Sequence, residues 1–286
     1  MENQLLGAKN VYNYDELIEI LKIDNNPINR SYVKTIINSL IKNNDASITK
    51  QMIYVDKDKV IYLWELLQKL SEFFDYRYNT RIELSKFLYF VLNDKVINLN
   101  AIFCPGYTEY GYKNYIGNNN TIRLKTLKRL KDKLENEGIN SNFKITLSDI
   151  FLENIDIDKN MQLYDELSIH REEFIKKAKE DFRENEIVIL SEIFNEERYI
   201  SGFIDNSLLY GKTYQNFYKN NESFYKKMGW GIEETKQRND KLFIIYSIIS
   251  EYINNQDNGV YLPMETMYSR SKVMTKNNVC TMYLHK

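Results

Sequence analysis

The chain has 286 residues, of which 43% are hydrophobic and 14% aromatic, so it can bury a substantial core and lacks the composition of a disordered protein. Its formal net charge of −1 argues neither for nor against a polyanionic partner. Two cysteines, Cys104 and Cys280, are too few for a disulfide framework. The sequence shows neither a signal-like segment nor an apolar run long enough for a bilayer, so we expect a cytoplasmic protein without a membrane contact.

The first part of the chain, residues 1–93, is predicted to be a mostly helical extension. Its predicted elements are helices over 14–22 and 29–43, a hairpin of strands 48–55 and 60–63 around residues 56–59, and helices near 60–77 and 81–93. Two helices followed by a hairpin are the outline of a winged helix, which would allow a DNA contact. The alternative is a helical cap or a dimerisation element, since the second helix offers few basic residues.

Residues 94–286 show a different pattern, in which strands alternate with helices. The predicted strands are 96–104, 143–148, 259–264 and 279–284; helices are predicted over 121–137, ending at Gly138, and over much of 160–254. Strands that are joined through helices favour a parallel sheet with helices on both faces. The predicted fold class is therefore α/β, and ligands are expected at the carboxyl ends of the strands.

A candidate nucleophile ends the first of these strands. Cys104 is followed by Pro105 and Gly106, which would turn the chain and leave backbone N–H groups near the sulfur. Such groups would lower the pKa of the thiol from about 8.5 and stabilise a developing oxyanion. The alternative is a buried apolar cysteine, which is the commonest environment of this residue.

A candidate acid/base pair lies at the end of the third strand. Tyr261 and Glu265 are four positions apart, so their side chains share a face in either a helix or a strand. A tyrosine and a carboxylate that face one pocket can relay a proton. The alternative is a core tyrosine beside a solvated glutamate.

These two motifs together resemble those of the tRNA-dependent cyclodipeptide synthases. Ile102-Phe103-Cys104-Pro105-Gly106 is similar to the family's nucleophile motif, a serine followed by proline and a small residue at the end of the first strand. Tyr261-Leu262-Pro263-Met264-Glu265 is similar to its second motif, which begins with Tyr and ends with Glu. Cys280-Thr281-Met282-Tyr283-Leu284-His285 resembles its closing strand. The resemblance covers about residues 95–286.

The resemblance implies a Rossmann-like domain related to class I aminoacyl-tRNA synthetases that works without ATP. Cys104 would accept an aminoacyl group from one charged tRNA, and a second aminoacyl-tRNA would attack it and release a diketopiperazine. Tyr261 and Glu265 would hold the amino group, with Glu265 also moving a proton. Tyr283 would position the intermediate, and Gly106 and Tyr107 would contact the substrate.

Three residues depart from the family's pattern. Cys104 stands where the family has serine, Ile102 stands where it has glycine, and Thr266 stands where a proline is expected. A thioester is chemically competent, since amines attack it readily; the alternative is that the cysteine marks a different acyl transfer.

A basic helix offers a surface for the tRNA. Six cations lie within residues 123–133, and Lys125, Lys128 and Arg129 fall on one face of the predicted helix. With Arg123, they are expected to contact the phosphates of an acceptor stem. The alternative is an ordinary solvated face, since Asp132 interrupts the cations.

The leading hypothesis is therefore aminoacyl transfer from aminoacyl-tRNA through Cys104. A second hypothesis is a DNA-binding, ligand-sensing regulator built on a non-catalytic pocket domain, and a third is a structural scaffold. No cofactor is expected, because the sequence has no glycine-rich phosphate loop. No group of cysteines and histidines has the spacing of a zinc site. The amino acids used and the oligomeric state stay open.

Overall fold

The N-terminal extension begins with a small antiparallel sheet and two helices. A computed structural model describes residues 10–74, 81–93, 96–103, 118–147, 172–194, 219, 247–264 and 279–285. The first elements are β1 (Asn10–Tyr12), α1 (Tyr14–Ile20), α2 (Pro27–Lys42), β2 (Ala46–Thr49) and β3 (Met52–Val55). The strands pair antiparallel in the order β1-β3-β2. This order, a strand, two helices and a hairpin (the wing) that pairs back onto the first strand, is similar to that of a winged helix.

Both helices of this unit begin at strong capping residues. The Asn13 side chain accepts hydrogen bonds from the N–H groups of Asp15 and Glu16, and the Glu16 carboxylate accepts one from the N–H of Asn13. This is a reciprocal capping box. The Asn26 side chain caps α2 by accepting a hydrogen bond from the N–H of Asn29 at 2.9 Å, and Pro27 occupies the first turn, where a missing N–H costs nothing.

The predicted position of the hairpin is wrong. The turn lies at Lys50 and Gln51, whose φ angles are 48° and 70°, and not at residues 56–59. Asp56 instead accepts a hydrogen bond from the N–H of Asp58 at 2.9 Å and caps helix α3 (Lys57–Leu70). Residues 60–63 are therefore helical, because buried apolar residues follow this cap at helical spacing. Helix α4 (Arg81–Leu92) follows close to its predicted bounds.

The rest of the described chain forms one parallel sheet with helices on its faces. Its elements are β4 (Ile97–Phe103), α5 (Asn118–Asn136), β5 (Ser141–Leu147), α6 (172–181), β6 (Ile187–Ile189), α7 (247–254), β7 (Gly259–Pro263) and β8 (Val279–Thr281). The five strands lie in the order β6-β5-β4-β7-β8, and each neighbouring pair is parallel. The predicted α/β, Rossmann-like class is confirmed, although β6 falls in a region where mainly helices were expected.

The two faces of the sheet are covered by different helices. On one face, the ring centroids of Phe103 in β4 and Phe174 in α6 lie 4.8 Å apart. Helix α5 contributes a leucine stripe to this face, as the sequence predicted. Its four members, Leu124, Leu127, Leu130 and Leu134, are all buried. Asn100 points to the opposite face because strand side chains alternate, and there it meets Gln256, just after α7.

Helix α4 closes the outer edge of the sheet. The N–H of Thr281 in the edge strand β8 donates to the Glu83 carboxylate at 2.7 Å, and Lys86 donates to the carbonyl of Val279 at 3.0 Å. The two side chains also pair with each other at 3.1 Å. These contacts satisfy backbone N–H and C=O groups of β8 that would otherwise be free, and so they protect this edge strand from pairing with another strand. Within the described ranges, each helix is too short or too polar to cross a membrane.

A buried ion pair joins α5 to the start of β6 and makes stability depend on pH. Burial would raise the pKa of Glu186, but hydrogen bonds from Arg183 and Lys131 outweigh this effect and lower the pKa to about 2. Because the pKa is lowered on folding, Glu186 stabilises the protein above its ordinary value of 4.5. That contribution is lost as the pH falls towards the folded value.

We expect Glu186→Gln to lower the free energy of unfolding by on the order of 2 kcal/mol at neutral pH. The difference from wild type should shrink as the pH falls towards about 3, and urea titrations at a series of pH values measure it. Glu184→Gln is the control, because Glu184 pairs with Lys179 on the surface and should contribute little. A pH-independent difference would contradict the assignment.

Candidate functional site

The centre of the sheet contains the point at which the strand order reverses. From β4 the chain proceeds outward on one side to β5 and β6, and then returns to place β7 and β8 on the other side. In open α/β sheets, ligands bind in the crevice at the carboxyl ends of the two strands that flank this point. Here those strands are β4 and β7, whose last paired residues are Ile102 and Pro263.

Both sequence motifs follow these strand ends. Cys104 comes directly after Phe103, the last residue of β4, and Glu265 comes two residues after Pro263, the last residue of β7. Counted from the pair Ile102–Pro263, both are two residues further along the chain. Cys104, Gly106, Tyr107 and Glu265 themselves lie outside the described residues.

Tyr261 lies within β7, at the centre of the sheet. It pairs with Asn100 and is fully buried, the largest side chain among the fully buried residues described. Since Tyr261 and Pro263 are two residues apart, their side chains share a face, and Tyr261 is roughly 7 Å below the end of the strand. Its ring therefore belongs to the interior beneath the carboxyl ends of β4 and β7.

A buried polar cluster on the same face was not predicted. The amides of Asn100 and Gln256 exchange two hydrogen bonds, at 3.0 and 3.2 Å, although Asn100 is fully buried. Tyr252 of α7 lies against Gln256, which donates to its carbonyl, and burial raises the pKa of the Tyr252 hydroxyl. The one sequence signal for this cluster is Asn98 and Asn100 at alternate positions of an otherwise apolar strand.

Arg123 has a structural contact that the sequence did not indicate. Its guanidinium donates a hydrogen bond to the carbonyl of Met264, the residue between β7 and Glu265. Arg123 is also one of the predicted tRNA contacts, a prediction that the structure does not test, and its half-buried side chain connects the start of α5 to the end of β7. It therefore holds the main chain next to one of the candidate catalytic residues.

The other predicted tRNA contacts differ in their surroundings. Lys128 forms an ion pair with Asp132, and Arg129 pairs with Glu72 of the N-terminal extension at 2.7 Å. Lys125 is exposed and, within the described part of the chain, forms no ion pair. The predicted basic face is thus partly neutralised by nearby carboxylates.

Tyr283 lies just beyond β8, on the same side of the sheet as the carboxyl ends. It is half-buried, and the chain after it is hydrogen-bonded to the segment that follows α3 in the N-terminal extension. Leu284 forms a β-bridge with Phe74, and the N–H of His285 donates to the carbonyl of Phe73 at 2.8 Å. Tyr283 is therefore held at a defined place near the candidate site.

Cys280 lies inside β8, where it is fully buried. Burial raises the pKa of its thiol well above the ordinary value, Glu83 raises it further, and Lys86 acts in the opposite direction. A neutral, inaccessible thiol is a poor nucleophile, so Cys280 is a core residue. Among the described residues, no group of histidine, cysteine and carboxylate side chains is arranged to hold a metal ion.

The burial of Cys280 gives a testable result for thiol chemistry. We expect native Cys104→Ser protein to react with a thiol reagent at neutral pH far more slowly than the denatured protein, in which Cys280 is accessible. Faster labelling of the native wild type would then report Cys104 alone. Rapid labelling of the native variant would contradict the burial of Cys280.

Arg123→Met should lower the free energy of unfolding by about 1–2 kcal/mol, since the variant keeps the apolar stem but loses a charged donor to the Met264 carbonyl. Arg129→Met is the matched control on the same helix, where a surface ion pair contributes about 0–1 kcal/mol. Urea titration of both variants measures the difference. Equal losses would show that the Arg123 contact is no stronger than a surface pair.

The site is thus formed by the adjacent carboxyl ends of β4 and β7, with a buried tyrosine and amide cluster beneath them and Arg123 beside them. No family model, curated protein or solved structure matches this chain.

Proposed function

We propose that this chain is an aminoacyltransferase that takes aminoacyl groups from aminoacyl-tRNAs and joins them into a cyclic dipeptide or a related amide. The observation that supports it is the parallel pairing of β4 with β7 at the reversal of strand order. Two motifs that are far apart in the sequence follow adjacent strand ends, at equal distances from the last pair. A nucleophile and a carboxylate would then flank one crevice.

The first step is transfer of an aminoacyl group onto the enzyme. The Cys104 thiolate attacks the carbonyl carbon of the ester that links an amino acid to the terminal ribose of its tRNA. A carbon–sulfur bond forms, the carbon–oxygen bond to the ribose breaks, and the ribose oxygen takes up a proton. Backbone N–H groups after the nucleophile would stabilise the negative charge on the carbonyl oxygen.

The second and third steps form the two amide bonds. The amino group of a second aminoacyl-tRNA attacks the thioester, expelling the Cys104 thiolate and leaving a dipeptide on the second tRNA. The free amino group of that dipeptide then attacks its own ester carbonyl and releases the second tRNA. Each attacking amine loses one proton, and each leaving oxygen or sulfur can accept one, so no cofactor or external oxidant is needed.

Glu265 would accept and return these protons and bind the ammonium form of the substrate. Tyr261 is too deep to act as an exposed acid, since it is fully buried within β7, and in this scheme its hydroxyl contacts the amino group at the floor of the crevice. Tyr283 would contact the bound intermediate from the side of β8. Arg123 acts as a positioning residue, through the Met264 carbonyl.

The tRNA surface in this proposal is the exposed side of α5. The ion pairs of Lys128 and Arg129 join surface side chains, and pairs of that kind are weak enough for a phosphate group to displace the carboxylate. Lys125 is exposed on the same side. The three cations would thus contact the acceptor stem in place of their present partners.

Mass spectrometry of the medium from a bacterial host that expresses the protein tests the reaction. We expect a diketopiperazine with the wild type, none with Cys104→Ala, and a reduced amount with Cys104→Ser, since serine is the nucleophile in the family that the motifs resemble. Cys280→Ala is the control and should keep most of the product, because Cys280 lies in the core. Full product from Cys104→Ala would refute the covalent role.

A wild-type protein without any such product would refute cyclisation. Intact-protein mass after incubation with mixed aminoacyl-tRNAs then separates two remaining cases. An aminoacyl adduct that Cys104→Ala lacks would indicate transfer to a different acceptor. No adduct would favour the non-catalytic regulator, for which the winged-helix topology is the supporting observation.

A further inference from the structure

The surface formed by α2 and the wing has an unusual charge distribution for this chain. Helix α2 contains three cations, Arg30, Lys34 and Lys42, and no acidic residue. Arg30 forms an ion pair with Asp15 of α1, so Lys34 and Lys42 carry the charge that this helix adds to the surface. Strands β2 and β3, with the turn between them, add Lys50 and again no acidic residue. Asp45, the single acid between α2 and the end of the wing, is neutralised by Lys59 at 2.5 Å. The formal net charge of the whole chain is −1, so this surface has a local excess of positive charge.

The basic residues of α2 lie on the side of the helix that the protein does not cover. Lys34, Asn38 and Lys42 are exposed and four residues apart, so they form one stripe. The opposite side, with Val33, Ile36 and Leu40 among its residues, is buried against the rest of the protein. The ammonium groups of Lys34 and Lys42 lie 5.6 and 4.3 Å from the ring centres of Tyr14 and Tyr89, which hold them at the surface.

The wing adds a second group of hydrogen-bond donors. Lys50 and Gln51 form its tip, with φ angles of 48° and 70°, and Ser47 and Thr49 beside them are exposed. Backbone conformations of this kind cost about 1 kcal/mol or more for residues other than glycine. Asn-Gly would give a more favourable turn at these two positions, yet Lys50 and Gln51, which both have long side chains with hydrogen-bond donors, occupy them.

We propose that this surface binds double-stranded DNA, with the exposed stripe of α2 in the major groove and Lys50 of the wing on the phosphate backbone. The order of strands and helices places α2 where a winged helix has its recognition helix. The major groove of B-form DNA is about 12 Å wide and admits an α-helix, whereas the deep, narrow major groove of A-form RNA does not. The inference is independent of the aminoacyl transfer proposed above.

The test is fluorescence anisotropy of the full chain with a random-sequence DNA duplex of about 20 base pairs, or two helical turns, in a series of salt concentrations. We expect salt-dependent binding by the wild type. Lys34→Ala/Lys50→Ala should bind roughly tenfold more weakly, with a salt dependence reduced by about two counterions. The control, Lys176→Ala/Lys179→Ala, removes the same charge from exposed positions of α6 and should bind like the wild type.

Three results would overturn the proposal: no binding to the duplex at low salt, an equal loss of binding in the two double variants, or a preference for tRNA over the duplex that depends on Lys34 and Lys50. Circular dichroism and urea titration of each variant ensure that any loss comes from the surface and not from unfolding. Because Cys104 plays no part here, Cys104→Ala should bind the duplex like the wild type even if it forms no product.

Discussion

The hydrogen-bonded pair Asn100–Gln256 is the interaction on which the geometry of the candidate site depends. Asn100 is fully buried in the central strand, and its amide is satisfied by Gln256, three residues before β7. A shift of β7 by one residue would turn Tyr261 to the other face and break both hydrogen bonds between the two amides, and since the Asn100 amide is fully buried this would cost about 1–3 kcal/mol. This pair therefore favours the register in which β4 and β7 end together, so that Cys104 and Glu265 follow the last paired residues at equal distances.

The N-terminal extension is joined to the sheet through polar contacts that also complete the sheet edge. Glu83 and Lys86 of α4 bind the main chain of β8, and Ser85 of the same helix accepts a hydrogen bond from Ser39 of α2 at 3.1 Å. Helix α4 thus contacts the edge of the α/β sheet on one side and the second helix of the winged unit on the other. One hydrophobic core runs through both parts, so packing as well as hydrogen bonds joins the extension to the sheet.

Much of the main domain could be predicted from the sequence because its signals are local. The leucine stripe of α5, its end at Gly138 with φ 71°, and the apolar run of β4 each reflect burial or a cap within a few residues. The hairpin was misplaced because Asp56 suits both a turn and a helix cap, while Lys50 and Gln51 lack the composition of a tight turn. The three-residue strands β1 and β6 are too short to show a pattern, and only their neighbours in space define them.

The difference between local signals and tertiary contacts also explains which parts of the site could be predicted from the sequence. Cys104, Tyr261 and Glu265 belong to compact motifs, so they could be proposed as candidates before their neighbours were known. Arg123 was read as one of several cations on a helix, because nothing in its own segment indicates the Met264 carbonyl that it binds from 141 residues away. Helical periodicity placed Lys128 and Arg129 on one face of α5. The net charge of that face could not be predicted in the same way, because Glu72 is brought to Arg129 only by the tertiary fold. A charged surface is therefore defined by the carboxylates that the fold places beside it. On α2 the fold places Asp15 beside Arg30, whereas Lys34, Lys42 and Lys50 form no ion pair within the described part of the chain. By this criterion α2 and the wing are a stronger candidate for an anionic partner than the more basic α5.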